Sequence, residues 1–123
     1  MDGSSDTGFL ENKTYDEINV GDFSTLTRTL RPEDIQLFAI VSGDVNPAHM
    51  DPVYAKNSQF REVIGHGMWG GSLISTVLGT QFPGPGAIYI NQSMHFLRPV
   101  MIGNTVTVKV TATKKIDHNH HII

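Results

Sequence analysis

An acid, an amide and an imidazole lie close together in residues 42–49, whose sequence is SGDVNPAH. Asp44 and His49 are the groups that can carry chemistry, because a carboxyl group and an imidazole exchange protons near neutral pH when their surroundings allow it. Pro47 disfavours helix at Asn46, the residue before it. The sequence therefore predicts a non-helical, irregular loop in which Asp44 and His49 converge, and such loops often carry catalytic groups.

Both residues also have an ordinary structural interpretation. A carboxylate just after a helix commonly accepts hydrogen bonds from nearby backbone N–H groups, which would account for Asp44. His49 could be a buried, hydrogen-bonded imidazole without chemistry. Taken singly, these interpretations are the better ones. Catalysis is favoured by the presence of both side chains in one proline-restricted loop, together with the resemblance described below.

A second notable segment is GHGMWGGSLISTVLGT, residues 65–80. Its apolar spacing predicts a helix buried on most sides, with Met68 and Trp69 in the core. Glycines near its start, each costing about 0.5–1 kcal/mol relative to Ala in a helix, indicate that a sheet or a ligand approaches the backbone. The free N–H groups at the start of this helix can also receive a developing oxyanion. His66 is interpreted as a helix cap or a supporting contact.

The predicted elements around these segments give an α+β plan. Residues 21–30 alternate like a strand, and Pro32 followed by two acids predicts a helix that ends at Gly43. After the apolar helix, FPGPG at residues 82–86 is a loop signal, and residues 87–96 and 105–115 alternate like strands. The ending IDHNHHII is compatible with a further strand. We therefore expect an antiparallel sheet packed on one central helix.

Composition limits the possible functions. The chain has 123 residues, a formal net charge of -3 and no cysteine. Its length predicts one domain, residues 14–123, after a flexible tail, residues 1–13. The negative charge argues against nucleic acid as a partner, and the sequence has neither a signal-peptide pattern nor an apolar run long enough to span a membrane. The lack of cysteine excludes disulfides and favours a reducing, cytoplasmic location.

Two further histidine and acid patterns suggest metal sites. HNHH, ending at His121, is interpreted as a polar turn between strands rather than a metal tract. Asp44, Asn46 and Asp51 resemble part of a calcium loop, but the required glycine is absent and the twelfth position is Ala55 instead of Glu. No metal site is predicted. His95, which alternates with apolar neighbours, is expected to be a strand residue without chemistry.

Three segments together resemble one family. SGDVNPAHMD, GHGMWGGSLIS and FLRPVMIGNTVTV are similar to the MaoC-like, R-specific enoyl-CoA hydratases, also called hydratase 2, and the similarity covers about residues 15–115. The resemblance implies a hot-dog fold, in which an antiparallel sheet wraps around a central helix, and a homodimer. It also implies reversible addition of water to a trans-2-enoyl-CoA to give an (R)-3-hydroxyacyl-CoA. No cofactor is expected, because CoA is part of the substrate.

The resemblance also implies roles for individual residues. Asp44 and His49 match the catalytic pair that activates water for attack at C3 and supplies a proton at C2. The backbone N–H of Gly67 matches the group that holds the thioester oxygen, although Gly67 is also explained by close packing. Ser75 matches an active-site serine, with a packing role as the alternative. Asn46 matches the amide of the motif and is assigned to positioning at a substrate-binding site.

One departure from the family concerns the sheet, which is expected to have two more strands after Lys115. We therefore expect a piece of a longer protein, such as one with a fused acyltransferase domain, or a sheet completed by a partner. Two other functions stay open, namely a hot-dog thioesterase or acyl-carrier dehydratase, and a non-catalytic acyl-CoA binding module. Contacts to the CoA phosphates are expected from basic residues in loops: Lys56, Arg61 and Arg98.

Overall fold

A computed structural model describes residues 10–123 of the protein. Its helices and strands follow in the order β1 (Phe23–Thr29), α1 (Pro32–Ser42), α2 (Pro47–Met50), α3 (Pro52–Lys56), α4 (Gly67–Thr80), β2 (Thr105–Thr111), β3 (Lys115–Ile116) and β4 (His121–Ile122). A short 3-10 helix, Tyr15–Glu17, precedes β1. Within the described part of the chain, no helix has both the length and the apolar character needed to cross a membrane.

Helix α1 begins and ends where the sequence predicts. Pro32 occupies its first turn, where the missing N–H costs nothing, and the Asp34 carboxylate accepts a hydrogen bond from the Arg31 N–H at 2.9 Å. Gly43 ends the helix in a left-handed conformation with φ of 77°, which glycine adopts without a steric penalty. Helix α1 therefore delivers the chain directly to Asp44, as predicted.

The segment after Asp44 differs from the prediction, because it contains two short helices instead of an irregular loop. Pro47 and Pro52 each stand in the first turn of a helix, α2 and α3. Proline restricts the residue before it, and that residue is here the N-cap, Asn46 or Asp51, whose backbone is not helical. The prediction of a non-helical segment between Asp44 and His49 is therefore wrong, and His49 lies in α2.

The predicted strand at residues 87–96 is also not observed, since the structure assigns no strand there. Alternation favours an extended backbone, but a strand also needs a neighbour to complete its hydrogen-bond ladder. The predicted strand at 105–115 is observed as β2 and ends at Thr111. The chain end forms a small antiparallel hairpin, with Lys115 opposite Ile122, and His118 lies in its turn as predicted.

Strands β1 and β2 pair as an antiparallel ribbon. The hydroxyl groups of Thr27 and Thr107 lie 3.1 Å apart, and those of Thr29 and Thr105 lie 2.7 Å apart. Residue numbers increase along β1 while those of the paired residues in β2 decrease, so the two strands run antiparallel. Threonine hydroxyl pairs of this kind stabilise neighbouring strands.

The described residues divide into two compact units. The first contains residues 10–26, 73–91 and 108–123, and its core joins the second part of α4 to the two strands. Val77, with no exposed surface, lies in this core beside Ile18 and Phe82. Fully burying a side chain of this size contributes about 1.5–3 kcal/mol. The core residues are Ile18, Val77, Phe82 and Ala112, with Leu26, Val108, Val110 and Ile122 packed against them.

The N-terminal residues of this first unit are attached to the end of α4 and to the loop that follows it. Glu11 and Lys13 donate backbone hydrogen bonds to the carbonyl groups of Thr80 and Pro83, both at 2.8 Å. These residues belong to the segment predicted as a tail, so its last part, from Glu11, is bonded to the domain. Residues 1–9 of that predicted tail lie outside the described residues.

Tyr15 links the 3-10 helix to the terminal hairpin within the same unit. Its hydroxyl donates to the Asp117 carboxylate at 2.5 Å, and its ring stacks on His120 with centroids 4.7 Å apart. The Lys115 ammonium lies 4.3 Å from the centre of the Tyr15 ring. Partial burial and the hydrogen bond to Asp117 raise the pKa of Tyr15 to about 12.

The second unit contains residues 27–72 and 92–107. It holds α1, α2, α3 and the first turns of α4. The segment before α4 is fixed by an antiparallel bridge between Ile64 and Met101 and by a hydrogen bond from the Gly65 N–H to the Val100 carbonyl at 2.7 Å. These contacts set the position of the next two residues, His66 and Gly67. Asp44, His49, His66 and Gly67 all belong to this unit.

Candidate active site

Asp44 lies in a tight turn immediately after Gly43. Its N–H donates to the Ser42 hydroxyl at 3.1 Å, and its Oδ1 accepts from the Asn46 N–H at 3.2 Å. This second contact is the turn interaction considered above as the structural alternative. It uses one lone pair of one carboxylate oxygen, so the exposed carboxylate keeps capacity for further hydrogen bonds. The turn contact therefore orients the side chain and leaves it able to react.

His49 is partly buried in α2 and has a defined hydrogen-bond direction. Its Nδ1 lies 2.8 Å from the Ile64 carbonyl oxygen. A carbonyl oxygen can only accept, so Nδ1 carries the proton and donates it. In the neutral ring, Nε2 then holds the lone pair. His49 is thus arranged to accept a proton at Nε2, which is the property required of a general base.

His66 stands next to both of these residues. Its Nε2 donates to the backbone carbonyl of Asp44 at 2.9 Å. Its ring stacks on the His49 ring with centroids 4.1 Å apart and lies 4.8 Å from the Phe38 ring. The side chain is only 4% exposed. The sequence interpretation of His66 as a supporting contact agrees with this geometry, but its two partners were not foreseen.

Asp44, His49 and His66 bring three potential metal-binding atoms, one from each side chain, within 4.8 Å of one another. The ring planes of the two histidines differ by only 29°. A histidine binds a metal in its ring plane at about 2.0–2.1 Å, so lone pairs in two stacked, nearly parallel planes do not converge well on one ion. The arrangement fits a stacked imidazole pair beside a carboxylate better than a metal centre.

A cleft of about 400 Å³ opens beside Asp44 and Gly67. Gly67 begins α4, and the N–H groups of the first turn have no partner within a helix. A Cβ atom at Gly67 would lie 3.1 Å from Cε1 of Phe96, so the absence of a side chain allows the aromatic ring to approach. Residues of the second unit line the cleft: Phe38, Ser42, Asp44, His66, Gly67, Met68 and Phe96.

Two sequence predictions about the start of α4 have different outcomes. Trp69 is 8% exposed and belongs to the core, as predicted. Met68 is 45% exposed and lines the cleft, so its assignment to the core is wrong. The first turn of a helix at a cleft has one face open, and helical spacing alone does not identify that face. Met68 was therefore missed as a residue of the candidate site.

The predicted substrate-binding residues Asn46 and Ser75 occupy different places. The Asn46 Oδ1 accepts from the Ala48 N–H at 3.0 Å and so caps α2, the helix that carries His49. This contact positions α2, and a role of Asn46 at a substrate-binding site stays a prediction. Ser75 lies about two turns after Gly67 along α4, with an exposed side chain. The cleft residues do not include Ser75, and its substrate-binding role stays a prediction.

Asp51, which had suggested part of a calcium loop, has a structural contact of its own. Its Oδ1 accepts from the N–H groups of Val53 and Tyr54 at 2.9 and 3.2 Å. It therefore caps α3, directly after the helix that holds His49. These contacts explain an aspartate before Pro52 without a bound ion.

Comparisons with known proteins show which family the chain is similar to. The family described as "MaoC like domain" matches residues 20–123. An (R)-specific enoyl-CoA hydratase of Rhodospirillum rubrum is 50% identical over 99 residues, which are 80% of this chain and 69% of that protein. A mitochondrial 3-hydroxyacyl-[acyl-carrier-protein] dehydratase of Arabidopsis thaliana is 40% identical over 77% of this chain and 56% of its own length.

Among solved structures, the unliganded R-hydratase PhaJ1 from Pseudomonas aeruginosa superposes with a TM-score of 0.84 at 44% identity. The superposition covers 89% of this chain and 71% of that one. This match confirms the predicted hot-dog fold and the α+β class.

Proposed function

The chain belongs to the MaoC-like domain family, and from this premise we propose that it hydrates trans-2-enoyl-CoA to (R)-3-hydroxyacyl-CoA. The observation that carries the proposal is the convergence of Asp44 and His49, which place a carboxylate oxygen and a ring nitrogen within 4.8 Å. A single water molecule can span this distance with one hydrogen bond to each group. Its oxygen would then face a substrate in the adjoining cleft.

The proposed reaction begins with the water between Asp44 and His49. Nε2 of His49 takes one proton as the water oxygen forms its bond to C3, while the Asp44 carboxylate orients the other O–H. The electrons of the C2–C3 double bond move toward the thioester carbonyl, whose oxygen gains negative charge. The pair then returns one proton to C2. The sum is the addition of H and OH across the double bond, with the enzyme unchanged.

In the proposed reaction, the backbone N–H of Gly67 stabilises the negative charge that develops on the thioester oxygen. A backbone N–H at the start of α4 is held by the helix itself and needs no reorganisation when the oxyanion forms. Such a donor contributes about 3–4 kcal/mol to transition-state stabilisation, and a positioned acid or base contributes roughly 10²–10⁴ in rate. Together the two effects amount to roughly 10⁴–10⁷ in rate, which reaches the lower end of the range found for enzymes, and orientation of the substrate in the cleft would supply the remainder.

Apolar and basic groups would bind the two ends of the substrate. Phe38, Met68 and Phe96 form apolar walls of the cleft and are suited to an acyl chain. Lys56, Arg61 and Arg98 are exposed in the same unit and are proposed to meet the CoA phosphates. CoA is part of the substrate, so the proposal requires no separate cofactor.

A second candidate is the reverse reaction on a carrier-bound substrate. It is supported by the 40% identity to a plant protein named as a 3-hydroxyacyl-[acyl-carrier-protein] dehydratase. The chemistry at Asp44 and His49 would be the same, and only the recognition of the carrier would differ.

The proposed function is tested by incubating the purified chain with crotonyl-CoA and with the matching acyl-carrier thioester. We expect loss of the enoyl absorbance and formation of the (R)-3-hydroxy product, with Asp44→Asn and His49→Ala each lowering kcat by at least about 10²-fold. A strong preference for the carrier thioester would favour the second candidate. Release of free CoA would indicate a thioesterase, and tight binding without turnover would indicate a binding module.

The homodimer and the fused acyltransferase domain suggested by the resemblance stay proposals. Sedimentation of the purified chain measures the dimer directly. Sequencing of the complete transcript would identify any further domain.

A further inference from the structure

We propose that His66 is a positioning residue for the Asp44/His49 pair, with one contact to each member. Its Nε2–H holds the Asp44 backbone, and its ring face supports the His49 ring. The inference deepens the proposed function and rests on it wherever activity is the readout. It concerns a residue that exchanges no proton with the substrate in the proposed reaction.

The first contact fixes the turn that presents the Asp44 carboxylate. The hydrogen bond from His66 Nε2 to the Asp44 carbonyl is 2.9 Å long and joins residues 22 positions apart. The other contacts described for Asp44 are local, to Ser42 and Asn46. The His66 bond therefore connects the end of α1 to the start of α4, where Gly67 lies.

The second contact fixes the ring plane of His49. The Nδ1–H bond to the Ile64 carbonyl holds one edge of that ring but still allows it to rock about the bond. The His66 ring, stacked at 4.1 Å, blocks this motion on one face. His66 is itself 4% exposed and in contact with the Phe38 ring, so it has little freedom to yield. The direction of the His49 Nε2 lone pair is thereby fixed.

The unused nitrogen of His66 separates its role from that of His49. Nδ1 of His66 is buried and has no hydrogen-bond partner within the described residues. An N–H at that position would be a buried donor without an acceptor, which is unfavourable, so the ring carries its proton on Nε2, where the Asp44 carbonyl accepts it. His66 is therefore suited to donate through Nε2 and to stack, and it is poorly suited to exchange protons.

Two substitutions separate the two contacts. His66→Phe keeps an aromatic ring between Phe38 and His49 but removes the donor to the Asp44 carbonyl. His66→Gln keeps an amide donor near the position of Nε2 but removes the ring. We expect each to lower kcat about 10-fold and His66→Ala, which removes both contacts, about 100-fold, with KM changed less than about threefold. His118→Phe and His118→Gln, in the exposed turn of the terminal hairpin, are the matched controls.

An activity-independent measurement accompanies the kinetics. Nitrogen-15 NMR of the histidine rings reports the Nδ1–H signal of His49, which is protected while that ring is held against Ile64. We expect the signal to broaden in His66→Gln and His66→Ala and to stay sharp in His66→Phe. This measurement remains informative if the wild-type chain hydrates no enoyl thioester, in which case only the proposed function fails.

Several results would overturn the inference. One is a kcat within about twofold of wild type in His66→Ala, with an unchanged His49 signal. Another is a pattern in which kcat is unchanged while the thermal midpoint falls and KM rises by the same amount in all three variants. That pattern is expected of a residue that contributes only to packing. If either His66→Phe or His66→Gln does not fold, the kinetics and the His49 signal of the other variant still distinguish these outcomes.

Discussion

The His49 ring is anchored to Ile64, and this bond determines which nitrogen can act as a base. Nδ1 donates to the Ile64 carbonyl at 2.8 Å, so the lone pair of the neutral ring resides on Nε2. Ile64 in turn is bridged to Met101 and lies two residues before His66. A backbone bridge with no chemistry of its own therefore sets the tautomer of the proposed base.

His49→Asn tests the assignment of His49 as the base while keeping its hydrogen bond to Ile64. The asparagine amide can still donate to the Ile64 carbonyl from a position close to Nδ1, but it has no basic nitrogen. We expect a folded protein whose kcat is lower by at least about 10²-fold, measured by enoyl-CoA hydration. Near-wild-type turnover in a variant with unchanged circular dichroism would contradict the assignment of His49 as the base.

Asn46 is expected to act through the helix that it caps. Asn46→Ala removes the acceptor for the Ala48 N–H and should lower the free energy of unfolding by about 1 kcal/mol. Because His49 lies in the same short helix, kcat should fall as well. Asn46→Asp is the matched control, since aspartate caps equally well. Chemical denaturation measures the first effect, and a full loss in Asn46→Asp would point to a direct substrate contact instead.

Gly67 and Phe96 should be energetically coupled. In Gly67→Ala, the new methyl group would lie 3.1 Å from the Phe96 ring, which must shift away from the cleft wall. We expect a roughly tenfold loss in kcat/KM, and a smaller loss when the same substitution is made in a Phe96→Ala background. The coupling in this double-mutant cycle should fall in the range of about 0.5–3 kcal/mol. Strict additivity would show that the effect of Gly67→Ala does not depend on contact with the Phe96 ring.

Tyr15 gives a prediction for stability at alkaline pH. Its pKa is raised from 10.0 to about 12 in the folded protein, so the folded state holds the hydroxyl proton more tightly than the unfolded state. The resulting stabilisation is complete below about pH 10 and is lost as the pH rises toward about 12. The free energy of unfolding of wild type relative to Tyr15→Phe should therefore decline across this range. Tyr54→Phe, at an exposed position, is the control, and parallel pH curves for wild type and Tyr15→Phe would reject the assignment.

Local signals in the sequence predicted the elements that depend on near neighbours. Pro32, Asp34 and Gly43 mark both ends of α1, and the threonine-rich alternation of β2 marks a strand, because caps and side-chain alternation act over a few residues. The same kind of reasoning failed at Pro47. Because proline disfavours helix at the residue before it, Pro47 predicts an irregular loop between Asp44 and His49, whereas it stands at the first position of a helix, where it is tolerated.

Residues 87–96 show a second limit of local patterns. Their alternation was sufficient to predict an extended strand, but a strand exists only beside a partner that completes its backbone hydrogen bonds. Met68 shows the same limit in a helix, because its apolar side chain fits both a core and the wall of a cleft. In each case the residue types are compatible with more than one environment, and only the contacts in the folded protein decide which environment they have.

By itself, the sequence determined the family of this protein and the residue types of its site: the carboxyl group of Asp44, the imidazole of His49 and the bare backbone of Gly67. Only the tertiary structure decided how they are oriented. The His49 tautomer depends on a carbonyl 15 residues away, and the Asp44 turn depends on an imidazole 22 residues away. Hydrogen bonds over such separations form only after α1, α2 and α4 have packed, and no local pattern encodes their direction.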